Sequence, residues 1–408
     1  MKKHYFSAYA GLPGTVYALF AARLVNSMGY FVSPLLTLIL TQKLGMDKAE
    51  AGRTVALLIL TQAPCVLLGG RLADSLGRKK TLIFGSTAGA AMYLICGLGL
   101  TGKAMILCII LAADCVAVSV PASEALLADL TRPEQRQSAY SLLYLGINIG
   151  AAISPIVGGL LFKNHLPLLF VLDAATSLAA VLIVAVNVPE GFPRPHAGGT
   201  ENRISLPSAL RRVPILAAFI CLLFLYEFCY SQWSFMLPAQ FGDRFSGDGA
   251  RMYSVLASVN AVTVIVMTPL VTKLTGRLRP LRAVALAGLF YLAAYIGFCA
   301  GGSYLFYLCF AVLFTLGEIC SAIQTGAFIS NRAPAGCLGR INAFSALMRG
   351  ASGALGPLVM GRILTVWSYP AGWLVTAGIV ASAAVGMFLL DRKDGGSGPD
   401  AGERLHAE

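Results

Sequence analysis

Long apolar stretches, separated by short polar segments, constrain the fold of this chain more than any other feature of its sequence. A helix that crosses a bilayer needs about 20 predominantly apolar residues, and we count twelve stretches that reach this length. Because lipid offers no hydrogen-bond partners, such stretches must satisfy their backbone polar groups internally, as a helix does. The sequence therefore predicts an all-α membrane protein with twelve transmembrane helices. The spans lie near residues 14–40, 51–70, 81–100, 104–126, 139–162, 167–188, 213–238, 250–272, 281–301, 303–327, 341–363 and 370–390.

Charged side chains are scarce, which supports the same conclusion. They make up 12% of the 408 residues, whereas a soluble domain carries roughly 25%. Apolar side chains account for 57%, and the mean hydropathy is +0.74. This balance excludes a water-soluble protein of two or three domains.

The 31 basic residues are unevenly distributed between the two sides of the predicted spans. Of these residues, 21 lie on the side of the membrane that holds the two termini, and eight lie on the opposite side. The other two, Arg23 and Arg349, lie inside spans. Lys and Arg collect in cytoplasmic loops, so we expect a multi-pass protein of the cell membrane with both termini in the cytoplasm. The net charge of +12 then reflects topology, and we expect a monomer in the lipid bilayer with no nucleic-acid partner.

Cysteine and histidine do not form the patterns of a metal centre. Nine of the ten cysteines lie in apolar runs without a C-x-x-C spacing, and all four histidines lie outside the spans. Thiols in apolar runs pack as small hydrophobic side chains. The sequence also contains no HExxH or GxSxG motif. We therefore expect no metal, no cofactor and no enzymatic activity.

A polar insert divides the spans into two groups of six that resemble each other. Ser154-Pro155 with Gly159 matches Gly356-Pro357 with Gly361 at an offset of 202 residues, and four further matches follow at similar offsets. Related six-helix halves are typical of secondary transporters, whose partner is a small-molecule substrate. We expect an N-terminal bundle at 1–188, a cytoplasmic linker at 189–212, a C-terminal bundle at 213–392 and a cytoplasmic tail at 393–408.

The segment GRLADSLGRKK, which starts at Gly70, connects spans 2 and 3. Its glycines, Gly70 and Gly77, favour a tight turn, and Asp74 lies among cations, where it can pair with Arg78. A basic topology loop would explain the lysines but not the Gly/Asp/Gly frame. The segment resembles the loop 2–3 signature of the major facilitator superfamily, G-x-L-a-D-r-x-G-r-k. The resemblance implies two six-helix bundles that alternate access, with Asp74 and Arg78 as a conformational latch.

Span 5 contains a second motif, with Gly150, Pro155, Gly158 and Gly159 in the order G-x-x-x-S-P-x-x-G-G. It resembles the G-x-x-x-G-P-x-x-G-G motif of drug:proton antiporters, with Ser154 in place of one small residue. In that family the motif seals the two halves together. A generic contact between small residues of two helices is the alternative. The arginine usual in span 4 of many such antiporters is absent here.

Ionisable residues inside spans are costly and are functional candidates by default. The seven are Arg23, Asp114, Glu124, Asp173, Glu227, Glu318 and Arg349. The superfamily resemblance implies that five of them lie on helices 1, 4, 7 and 10, which line its central cavity. Arg23 and Asp114 have similar depths and predict a coupling or gating pair. Arg23, Asn26 and Tyr30 share one helical face, and we interpret Glu124 and Asp173 as structural.

Glu227 and Glu318 have no evident cation on their own helices. Leu316-Gly317-Glu318 resembles the span 10 sequence of certain multidrug/proton antiporters, in which the glutamate meets a cationic drug or protons. The aromatic residues around Glu227 could supply cation–π surface, or they could be ordinary packing or an interfacial belt. They are Tyr226, Phe228, Tyr230, Trp233 and Phe235.

Together these features predict a proton-coupled, multidrug-type exporter of hydrophobic, often cationic compounds. Glu227 and Glu318 would bind the substrate or protons. An uptake symporter for a sugar, a peptide or an organic acid on the same fold is the alternative. The acidic net charge inside the spans disfavours an importer of anions, which would need unpaired Arg or Lys.

Overall fold

A computed structural model describes residues 11–190, 211, 213–245, 247–275, 278–333 and 338–396. These residues form fourteen α-helices and contain no β-strand. In chain order the helices are α1 (Gly14–Met28), α2 (Val32–Leu38), α3 (Lys48–Ser75), α4 (Arg78–Gly97), α5 (Gly102–Asp129), α6 (Pro133–Phe162), α7 (Leu166–Asn187), α8 (Pro214–Tyr230), α9 (Met236–Arg244), α10 (Gly249–Thr275), α11 (Pro280–Ala300), α12 (Tyr304–Arg332), α13 (Leu338–Val366) and α14 (Tyr369–Gly396).

Within the described residues, ten helical segments are long and apolar enough to cross a membrane. The all-α membrane class is therefore confirmed, while ten of the twelve predicted spans meet this criterion. The remaining two correspond to α4 and α13. Both are helical, but α4 carries Gly85, Ser86 and Thr87 in its middle, and α13 carries Arg349 and Gly350. Small and charged residues of this kind lower the mean hydropathy of a helix without preventing helix formation.

The chain divides into two compact units that are discontinuous in sequence. Unit 1 contains Met1–Met46, Leu57–Gly198 and Pro238–Val262, and unit 2 contains Asp47–Ala56, Gly199–Leu237 and Thr263–Glu408. The first turns of α3 thus cluster with unit 2, and the first half of α10 clusters with unit 1. The predicted linker at 189–212 and the predicted tail at 393–408 lie largely outside the described residues.

Each unit has a different kind of core. In unit 1, aliphatic side chains of α1, α5, α6 and α7 pack together, including Leu19, Leu126 and Val184, each less than 5% exposed. In unit 2 the packing is largely aromatic, and Trp373 stacks on Tyr295 with ring centroids 5.6 Å apart. These cores hold the helices that carry the ionisable residues.

Two of the predicted spans are interrupted near their middle. Span 1 consists of α1, a break at residues 29–31, α2 and a π-helical turn, Ile39–Lys43. Span 7 consists of α8, a 3-10 turn at Ser231–Trp233 and α9. Proline is tolerated in the first turn of a helix, where its missing N–H has no partner to lose. Pro34 and Pro238 both occupy the third position of the helix that follows the break.

Candidate functional site

Two carboxylates of unit 2, on two different helices, lie within electrostatic range of each other. The hydroxyl of Tyr230, at the end of α8, donates a hydrogen bond of 2.9 Å to Glu318 Oε1 on α12. Glu227, one turn earlier on α8, lies within electrostatic range of both Glu318 and Arg349 of α13. We call Glu227, Tyr230, Glu318 and Arg349 the acidic cluster, because its net charge is −1 when all charged members are ionised.

Arg349 is the functional candidate that sequence reasoning missed as a partner of Glu227. Its guanidinium Nη1 lies 3.4 Å from Ser345 Oγ on its own helix, and its side chain is exposed. It forms no ion pair within 4 Å; in the described part of the chain such pairs join Arg78 to Asp129, Arg282 to Asp391 and Arg332 to Asp394. The proximity depends on how α13 packs against α8, and no sequence signal within either helix encodes that.

Aromatic rings surround the acidic cluster, although not the set that the sequence suggested. Tyr226, Phe228 and Phe235 are at most 6% exposed and pack in the core, which is the ordinary-packing alternative. Trp233 is also buried rather than part of an interfacial belt, with its ring stacked 4.4 Å from that of Phe314. Phe314 stacks in turn on Tyr230 at 5.5 Å.

In unit 1, the predicted face of Arg23, Asn26 and Tyr30 is interrupted. The helix α1 ends at Met28, so Tyr30 lies within the break and does not continue the helical face. Asn26 Oδ1 accepts a hydrogen bond of 3.1 Å from Ser177 Oγ on α7. Tyr30 is 52% exposed and lies within electrostatic range of Arg23.

The predicted pair of Arg23 and Asp114 is absent, although both residues are described. Equal depth along two helices does not fix the direction in which each side chain points. Asp114 instead lies within electrostatic range of Cys65 on α3 and of Cys115. Its Oδ1 atom is buried and has no hydrogen-bond partner among the described residues. Glu124 is exposed, as expected for a residue outside the candidate site.

The glycine motif of span 5 packs against the break in span 1. A Cβ atom on Gly150 would lie 2.3 Å from Ser27 Cβ, and one on Gly158 would lie 3.1 Å from Leu35 Cδ1. Ser154 Oγ donates a hydrogen bond of 3.2 Å to the carbonyl oxygen of Tyr30. Pro155 lies inside α6. The motif thus allows a close approach of α6 to both halves of span 1.

The last glycine of this motif contacts a different helix. A Cβ atom on Gly159 would lie 2.5 Å from Ser254 Oγ on α10. At the repeat offset of 202 residues, the corresponding contact joins Gly361 of α13 to the start of α3. A Cβ atom on Gly361 would lie 2.4 Å from the carbonyl oxygen of Lys48. The two contacts are related by the internal repeat.

The connection between α3 and α4 is much shorter than the motif suggested, because α3 continues to Ser75. Gly77 adopts a φ of +100°, which favours glycine. Arg78 pairs with Asp129 on α5 and not with Asp74, which is exposed. The side chains of Arg78 and Asp129 are 11% and 8% exposed. Gly70 has open space around its Cα and serves no close contact.

Comparison with known proteins identifies the family of the chain. The sequence profile of the Major Facilitator Superfamily matches residues 19–357. The chain therefore belongs to this superfamily of secondary membrane transporters. It is 25% identical over 348 residues, 85% of each chain, to YhjO of Bacillus subtilis (strain 168), an uncharacterized MFS-type transporter.

A second relative is similar over a shorter stretch. The multidrug resistance protein MdtH of Aeromonas hydrophila is 26% identical over 200 residues, which is 48% of this chain and 50% of MdtH. Among solved structures, a peptide transporter POT in complex with sulfate has a TM-score of 0.78 at 17% identity. The match covers 97% of this chain and 96% of that one. At this identity the likeness shows the fold alone.

Proposed function

We propose that this transporter exports hydrophobic, often cationic compounds in exchange for protons, by alternating access. The observation that carries the proposal is the acidic cluster, in which Glu227 lies within electrostatic range of both Glu318 and Arg349 and Tyr230 donates to Glu318. A net negative site attracts a cation, and the ring of Tyr230 offers an aromatic face for cation–π contact.

Exchange follows from the chemistry of a carboxyl group. An ionised carboxylate attracts a cation, whereas a protonated carboxyl has lost that attraction, so that proton and cation compete for the same group. In this scheme Glu318 is the exchange carboxylate, oriented by Tyr230, and Glu227 is the second acid, whose charge is balanced in part by Arg349. The similarity to a multidrug resistance protein over half of its length supports this substrate class.

The alternative is an uptake symporter for a sugar, a peptide or an organic acid. One observation favours a zwitterionic substrate such as a peptide. Arg349 stands within electrostatic range of Glu227, so that the cluster offers both a cation and an anion. The exporter remains preferred because the cluster carries one more negative than positive charge.

The experiment is substrate-induced proton movement in proteoliposomes that contain the full chain. An interior pH dye reports proton release when a panel of lipophilic cations, such as tetraphenylphosphonium and ethidium, is added. We expect a cation-dependent pH change that disappears when the pH gradient is collapsed. Peptide-driven proton movement without a response to any cation in the panel would establish the symporter instead.

A further inference from the structure

The break in span 1 is held by a buried acid. Asp173 on α7 is 4% exposed. Its Oδ2 atom accepts hydrogen bonds from the backbone N–H groups of Phe31 (3.2 Å) and Val32 (3.3 Å). An interrupted helix exposes backbone N–H groups that have no partner within the helix. Asp173 accepts from the Val32 N–H and shares the Phe31 N–H with the carbonyl oxygen of Gly29, which lies 2.8 Å from Phe31 N.

Small and hydroxyl-bearing residues enclose the same break. Gly29 lies directly against Thr176 of α7, because a Cβ atom at this position would overlap the threonine side chain. The hydroxyl of Ser154 donates to the Tyr30 carbonyl from α6, and Ser177 donates to Asn26. The break is therefore a built feature with partners on two helices.

At the equivalent break in span 7, neutral side chains donate hydrogen bonds to the backbone. There Ser231 Oγ and Gln232 Nε2 donate to the carbonyl oxygen of Phe228, at 2.7 and 3.0 Å. At the repeat offset of 202 residues, the counterpart of Asp173 is Val375. The two halves thus stabilise equivalent interruptions by different means, one with a carboxylate and one with neutral side chains.

In the described part of the chain, two phenols share the electrostatic surroundings of Asp173. Tyr30 at the break and Tyr93 on α4 lie within its electrostatic range, and Arg23 on α1 interacts with Tyr30. The α6 face contributes the Ser154 hydroxyl. When the pH falls, the carboxyl group is the member of such a set that is expected to lose its charge, because phenols and guanidinium groups titrate at much higher pH.

We propose that Asp173 is a positioning residue for transport, whose negative charge holds the break of span 1 and so orients Asn26 and Tyr30. Hydrogen bonds to an ionised acceptor are stronger than those to a neutral one. Loss of the charge therefore loosens the break without removing the acceptor oxygen. The effect on transport rests on the proposed function, whereas the effect on the break does not.

The test is hydrogen–deuterium exchange of the full chain in lipid nanodiscs, followed on peptides that cover residues 28–36. Asp173→Asn keeps the shape and one acceptor oxygen but removes the charge. We expect exchange of the Phe31 and Val32 amides to become roughly fivefold faster. Ser231→Ala is the matched control, because it removes a hydroxyl that donates at the span 7 break, and it should change exchange only around that break.

A pH series gives a second measurement, in which the unmodified chain is compared with Asp173→Asn. After correction for intrinsic chemistry, exchange at residues 28–36 should rise as the pH falls, and Asp173→Asn should abolish this dependence. Unchanged protection in Asp173→Asn at neutral pH, or the same pH dependence in both proteins, would overturn the proposal. Faster exchange throughout unit 1 would also overturn it, because Asp173 would then stabilise the unit and not the break.

Transport measurements separate the positioning role from the proposed substrate. In proteoliposomes with tetraphenylphosphonium, Asp173→Asn should raise KM several-fold more than it lowers kcat. If the unmodified chain moves no cation, the proposed function fails, and the exchange experiment still decides the role of Asp173.

Discussion

At the scale of single residues, the hydrogen bond from Tyr230 to Glu318 distinguishes one carboxylate from the other ionisable groups in the spans. A hydroxyl that donates to a carboxylate fixes its orientation and leaves the second oxygen for another partner. Glu227 lies within electrostatic range of Arg349, and Glu318 accepts the hydrogen bond from Tyr230. In the proposed function, Glu318 is the carboxylate that exchanges the proton for the cation.

The substitution Glu318→Gln tests that assignment. Glutamine keeps the size of the side chain but cannot lose a proton, so we expect cation-induced proton release to disappear while the protein folds normally. The measurement is the interior pH signal in proteoliposomes, with folding checked by size-exclusion chromatography. Glu124→Gln, in an exposed acid outside the cluster, is the control and should behave as the unmodified chain. Normal proton release from the Glu318→Gln variant would contradict the assignment.

At the scale of helices, the contacts of α6 with span 1 depend on the absence of side chains. The Cβ atom of an alanine at position 150 would meet Ser27 Cβ, Ser27 C and Met28 N at 2.3–2.7 Å. Two of these three atoms belong to the backbone, which cannot rotate away. Close packing of helices through small residues is a general feature of membrane proteins, and here it occurs at the break of a span.

Gly150→Ala should therefore destabilise the fold by about 1–3 kcal/mol, the usual cost of overpacking. The measurement is the apparent Tm in detergent, followed by fluorescence-detected size-exclusion chromatography. Gly378→Ala is the matched control, because a Cβ atom on this glycine of α14 has nothing within 4 Å. That substitution should be neutral or slightly stabilising, since alanine favours helix. Equal Tm values for both variants would show that α6 adjusts freely.

The short connection between α3 and α4 makes a second prediction at this scale. Arg78 is mostly buried against Asp129 and also donates to the Ala125 carbonyl. Asp129→Asn leaves a buried guanidinium without its counter-charge, so we expect a loss of about 3 kcal/mol or more in stability. Asp74→Asn, at the exposed position, should leave Tm unchanged. The same apparent Tm measurement checks both variants. A larger loss of Tm in Asp74→Asn than in Asp129→Asn would instead support the pairing of Asp74 with Arg78 that the sequence suggested.

At the scale of the whole molecule, the sequence predicted the class of fold because lipid permits few alternatives. Each apolar run long enough to span a bilayer had to be a helix. Charged residues inside such runs were easily recognised as candidate functional residues. The break in span 1 was missed because apolar residues continue on both sides of Gly29. The partner of Arg78 was missed because Asp129 is distant in sequence, whereas Asp74 is near. Contacts between helices depend on rotation about each axis, which composition does not encode.

The orientation of the chain in the membrane is a second property of the whole molecule that the sequence predicts. The excess of basic residues on one side of the spans predicts that both termini are cytoplasmic. Green fluorescent protein fused to the C-terminus should fluoresce in a bacterial host, and alkaline phosphatase at the same site should be inactive. The opposite pattern would reverse the assignment of sides. A phosphatase fusion in the short connection after α4, at Gly99, should be active and serves as the control.

The stack of Trp233 on Phe314 and of Phe314 on Tyr230 gives the protein an intrinsic optical probe. The chain contains three tryptophans; Trp373 is fully buried and Trp367 is 56% exposed. In a double variant with Trp367→Phe and Trp373→Phe, the remaining indole emission comes from Trp233. Its ring is connected through Phe314 to Tyr230, which donates the hydrogen bond to Glu318. Any molecule that displaces Tyr230 from Phe314 should change that emission. Ligands can then be screened by fluorescence alone, in detergent, with neither a label nor a gradient.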